Sequence, residues 1–61
     1  MKHYLFEVIE EGHANEGEQF IVGAATRKQA HEIAHDNFGC TCQCYGEISE
    51  EEAEASGLDE Y

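Results

Sequence analysis

Residues 26–39, TRKQAHEIAHDNFG, decide the fold. Thr26 is followed three positions later by Gln29, the spacing of a capping box, in which side chains satisfy the free N–H groups of a helix start. From Arg27 to Phe38, the residues Ala30, Ile33, Ala34 and Phe38 recur along one stripe at helical spacing. Gly39 then stops the run, because glycine takes the left-handed backbone that closes a helix. The spacing predicts an amphipathic helix over 27–38 that needs an apolar surface to lie on. Arg27 and Lys28 sit at its N-terminus, where the helix dipole disfavours cations. They pair with nearby acids or serve a contact; the sequence leaves both open.

Working outward, strands supply the surface. Residues 3–9, HYLFEVI, are rich in aromatic and β-branched types and read as a strand. Tyr4, Phe6 and Val8 share one face; Leu5 and Ile9 lie on the other, with Glu7 between them. Both faces are partly apolar, as a central or dimer-facing strand requires. Residues 10–17, EEGHANEG, carry no periodicity and read as a loop, long for a hairpin. Residues 18–25, EQFIVGAA, form a second strand with Phe20, Val22 and Ala24 on one side and Ile21, Gly23 and Ala25 on the other. The small residues after Ile21 let a helix approach closely. Residues 42–48, CQCYGEI, read as a third, short strand interrupted by Gly46. Ser49 and Glu52 make a second capping box, followed by a short helix ending near Gly57. Leu58 is placed to fold back as an apolar clip, and 59–61 reads as a ragged end or a linear recognition tail.

The expectation is an α+β fold: a three-stranded antiparallel sheet with the main helix on one face, in the order ββαβ, then a short acidic helix. Residues 1–48 make the core and 49–61 the acidic helix and tail. Strand order is not legible. The second sheet face needs cover from the C-terminal segment or from another subunit.

Charge is the next constraint. Fourteen Asp and Glu face three Lys and Arg over 61 residues, a formal charge of −11. Half of these acids (Glu47, Glu50, Glu51, Glu52, Glu54, Asp59 and Glu60) fall in the last fifteen residues. A chain this small cannot hide them, so they form a solvated or partner-facing negative surface. Nucleic acid and anionic lipid need a basic patch, which Lys2, Arg27 and Lys28 do not build. A protein with a basic groove is the favoured partner, with Tyr45 and Tyr61 as apolar anchors among the acids. No run reaches the eighteen or more apolar residues of a membrane span, and the N-terminus carries no signal-peptide body. The expected location is the cytoplasm. A domain of this size buries only roughly 60% of its unfolded surface and gains from a metal or from self-association, such as a homodimer.

Cys40, Cys42 and Cys44 are spaced by two, so an extended strand turns them to one face. His31 and His35 are four apart, neighbours on a helix surface, and the helix leads straight into the cysteines. Zinc favours such a mixture of thiolate and imidazole, and His31, His35, Cys40 and Cys42 are the candidate ligands. Against this, C-x-C is an uncommon zinc chelate; ordinary reduced cysteines are the competing reading. Three cysteines are an odd number for a disulfide framework. A redox thiol prefers a helix start, whereas Cys40 follows a helix end, where the dipole raises its pKa. A Cys40–His35 nucleophile needs a cleft and an oxyanion hole, for which the chain has little room. His3 and His13 suggest nothing specific, and no D-x-D-x-D-G loop is present for calcium.

The stretch EQFIVGAATRKQAHEIAHDNFG with the closing GEISEEEAEASGLDEY resembles the small acidic accessory proteins that phages and prophages encode. Some of that class look like nucleic-acid mimics that block host nucleases or CRISPR effector complexes. The resemblance implies a non-enzymatic inhibitor that occupies the nucleic-acid-binding surface of a host protein. A zinc-binding module and a structural, self-assembling piece are the rival expectations.

Overall fold

The computed structural model describes all residues from Met1 to Tyr61. The helix α1 spans Arg27–Phe38, as its end signals predict. The Gln29 backbone N–H donates to Thr26 Oγ1 at 3.1 Å. The Gln29 side-chain oxygen accepts from the Ala25 N–H at 3.0 Å, one residue earlier than a standard capping box. Gly39 closes the helix at φ 64°, donating its N–H to the His35 carbonyl at 2.7 Å.

Three antiparallel strands form the sheet: β1 (Lys2–Val8), β2 (Gln19–Ala24) and β3 (Cys42–Ile48), in the order β2-β1-β3. The centre goes to β1, which is hydrogen-bonded along both of its edges. Tyr4 stands opposite Val22, and Phe6 opposite Phe20. Tyr4, Phe6, Val8, Phe20, Val22 and Ala24 are buried on one face against Ala30 and Ala34 of α1, with Ile33 and Phe38 packed at the margin. Phe6 stacks on Phe20 at 5.6 Å, and Phe20 on Phe38 at 4.2 Å. Full burial of each large side chain contributes about 1.5–3 kcal/mol, so this aromatic row carries much of the fold.

A β-bulge interrupts the β1–β3 ladder. Leu5 pairs with Gly46 while Phe6 pairs with Cys44, leaving Tyr45 as the extra residue. Gly46 sits at φ 118°, a conformation that side chains rarely adopt. The bulge shifts the alternation of the strand. Cys42 and Cys44, opposite Val8 and Phe6, face α1. Ile48 ends opposite His3, on the reverse face.

The second helix, α2 (Glu50–Ser56), has both halves of its capping box formed between Ser49 and Glu52. It lies against β1 and buries Ala53. Ile21 is buried although it lies outside the main cluster, and its backbone bonds to Asp59 and Tyr61 of the C-terminal segment. The C-terminal segment thus supplies the cover that the second sheet face requires.

Residues 59–61 correct the expectation of a ragged end or free tail. They run parallel to the outer edge of β2. Ile21 N–H donates to the Asp59 carbonyl at 2.9 Å, Tyr61 N–H to the Ile21 carbonyl at 2.7 Å, and Gly23 N–H to the Tyr61 carbonyl at 2.9 Å. Edge strands leave N–H and C=O groups unpaired; this tail pairs one such edge. The segment from Ser49 onward is therefore held to the sheet, by α2 packing on β1 and by the pairing of its last three residues with β2.

Candidate functional site

Two features of the molecule gather chemistry. The first is the acidic segment. Glu47, at the end of β3, lies 4.0 Å from Lys2 Nζ, with both side chains more than half exposed. Such a pair contributes little. Glu50, Glu51 and Glu52 occupy the first turn of α2, where the helix dipole favours negative charge. Glu52 is committed to the cap; Glu50, Glu51 and Glu54 are exposed. Glu60 reaches back to His3, Oε2 to Nδ1 at 2.8 Å, tying the tail to β1. Asp59 pairs through its backbone and exposes its side chain.

The two tyrosines assigned as anchors each have an internal partner. Tyr45 is about half exposed and donates its hydroxyl to Glu7 Oε1 at 2.8 Å. That hydrogen bond, more than any burial, raises the phenol pKa above its usual value. Tyr61 stands edge-on to Phe20 at 5.6 Å and to Phe38 at 5.3 Å. Part of its ring remains in solvent. Glu7, the partner of Tyr45, was missed from the sequence; its signal was a lone carboxylate in the apolar pattern of β1.

Arg27 engages no acid. Its Nη2 donates to the Cys44 carbonyl at 3.2 Å, joining the start of α1 to the β3 edge. Of the three Lys and Arg side chains, Arg27 is thereby engaged in the fold and Lys2 lies beside Glu47.

The second feature is a cavity of about 260 Å³ lined by His31, Ala34, His35, Cys40, Thr41 and Cys42. All four residues named as candidate metal ligands line it. One side of α1 supplies the histidines; the turn after it and the first residue of β3 supply the cysteines. Thr41 pins that turn: its N–H and hydroxyl donate to Glu10 Oε1 at 3.2 and 3.5 Å, and its carbonyl accepts from Ile9 N–H at 3.0 Å. Nothing in the sequence marked Glu10 for this role. The His31 ring stands edge-on to Phe6 at 5.1 Å. As the side chains stand, no three of the His, Cys, Asp and Glu residues are placed to hold a metal ion.

All three cysteines are free thiols, Cys40 and Cys44 buried and Cys42 partly so. The Cys42 thiol donates to the Cys40 carbonyl at 3.7 Å. Burial first, then the neighbouring Cys40 and Glu10, pushes the Cys42 pKa up to about 11. Nucleophilic cysteines need surroundings that stabilise the thiolate; these do the reverse.

Compared with protein-family models, curated protein sequences and solved structures, the chain matches none. The class it defines is a small α+β protein with one three-stranded antiparallel sheet, a covering helix and an acidic C-terminal segment.

Proposed function

We propose that this protein is a non-enzymatic docking protein of the phage accessory type, which occupies a basic, nucleic-acid-binding surface of a host protein. One observation carries the reading. The residues Glu47, Glu50, Glu51, Glu54 and Asp59 are exposed, and their segment is anchored by the Ser49 cap, buried Ala53 and the tail pairing with β2. Negative groups on an ordered scaffold lose less conformational entropy on docking than the same groups on a flexible tail. A net charge of −11 gives the long-range attraction that steers encounter with a basic partner.

The test is capture of host proteins on the immobilised chain at low and at high salt, beside the variant Glu50→Gln, Glu51→Gln, Glu54→Gln. The expected partner is a nucleic-acid-binding protein, retained at low salt, released at high salt and lost with the triple variant. Binding indifferent to salt and to the triple variant contradicts the reading. Charge neutralisation is the suitable probe because removal of the segment would also strip the β2 edge.

A further inference from the structure

We propose that the cavity between α1 and the start of β3 is a site for a soft monovalent cation, copper(I), held between the thiolates of Cys40 and Cys42. The inference stands on geometry independent of the docking reading. Gly39 ends α1 and releases the chain into a turn that Glu10 and Ile9 fix through Thr41. That turn directs two cysteines into one cavity, beside the apolar Ala34 and two imidazoles. Thiolate is the ligand that soft ions select.

Ligand number decides which ion. A structural zinc site takes four tetrahedral ligands, and no three candidate ligands are assembled here. Recruiting His31 would break its edge contact with Phe6. A copper(I) ion is satisfied by two thiolates in line, so Cys40 and Cys42 suffice and the histidines stay where they are. Cys44 is excluded because it does not line the cavity, whereas Cys40, buried to a similar degree, does. Binding exchanges protons for metal. Two thiols lose one proton each, two S–Cu bonds form, and no electron is transferred. The acidic chain raises the local concentration of any cation.

The experiment titrates the fully reduced chain with copper(I) held by a competing chelator, read by native mass spectrometry and by the near-ultraviolet thiolate-to-copper band. One copper per chain is expected, with the dispersed amide spectrum of the folded protein retained. Cys40→Ser and Cys42→Ser should each abolish binding, because either leaves a single thiolate where the ion needs two. Cys44→Ser and His31→Ala should leave it unchanged. Failure to draw copper from the chelator overturns the assignment. So does equal loss in Cys44→Ser, which would mean that copper collects thiols from an unfolded chain. Zinc bound in preference to copper(I), and lost with His31→Ala and His35→Ala, would give the cavity to the four-residue set instead.

Discussion

The ring of Tyr61 stands edge-on to Phe38, with centroids 5.3 Å apart, so the C-terminal tail and the last residue of α1 hold each other. The backbone of the tail pairs with one face-neutral edge of β2, while its side chain reaches the aromatic row on the helix side. Tyr61 thereby touches both the sheet edge, which it shares with Asp59, and the helix end.

Replacing Tyr61 with Ala removes two edge-to-face contacts and part of the apolar cover of Phe20. The expected loss is about 1–2 kcal/mol, a fall in Tm of about 4–8 °C for each kcal/mol in a domain of this size. Hydrogen exchange at the Ile21 and Gly23 amides should accelerate more than exchange in α1. Unchanged protection at those two amides would show that the tail holds the edge without its ring.

Gly46 carries the bulge at φ 118° with open space around the position of a Cβ. The cost of Gly46→Ala is therefore backbone strain alone, about 1–3 kcal/mol. Gly23→Ala is the comparison. Its Cβ would meet Met1 Sδ and Glu60 Oε2 at 3.0 Å, both at the ends of long side chains, so its cost is a small shift of these ends and of the exposed Glu60–His3 bond, and it should cost less. Urea midpoints of the two variants, at equal m-value, order the effects. The reverse order would remove the bulge from its place in setting the strand.

Ser49 accepts from the Glu52 N–H at 3.0 Å, and Glu52 returns the bond to the Ser49 N–H at 3.3 Å. Ser49→Ala should cost about 1 kcal/mol, with carbon chemical shifts of residues 50–56 moving toward coil. Ser49→Asp keeps an acceptor and should restore both. A seven-residue helix that ignored this substitution would owe its order to Ala53 alone.

Cys42 should resist alkylation. With its pKa near 11 against an ordinary 9.0, its thiolate fraction at pH 8 is lower by about a hundredfold, and its rate with iodoacetamide falls accordingly. The sign for stability follows from linkage. The folded state holds the proton more tightly than the unfolded one, so this contribution is complete below about pH 9 and is lost as pH rises toward about 11. Wild type should therefore lose stability relative to Cys42→Ser across that interval. A constant difference between the two would place Cys42 in solvent.

Much of this architecture was legible because its signals are local. Thr26 and Gly39 bound α1 as their positions require, since caps act within one turn of backbone. The alternation of Tyr4, Phe6 and Val8 declared the core face of β1, because strand side chains repeat every two residues. The three-stranded antiparallel sheet with α1 on one face follows from these patterns. For the sites, the sequence offered residue types and spacings: His31 four before His35, Cys40 two before Cys42. It carried no sign that Glu10 would meet Thr41, thirty-one residues away, and it marked Glu7 only as a lone carboxylate in an apolar strand, without its partner Tyr45 thirty-eight residues on.

Elements, ends and face assignments were thus determined by the chain's own periodicity and capping chemistry, which depend on neighbours a few residues away. Which strand lies in the middle, where the bulge re-aims Ile48, and that Asp59–Tyr61 pairs with β2 were decided only by tertiary structure. Each of those outcomes turns on hydrogen bonds and apolar contacts between segments distant in sequence, whose energies no local window contains.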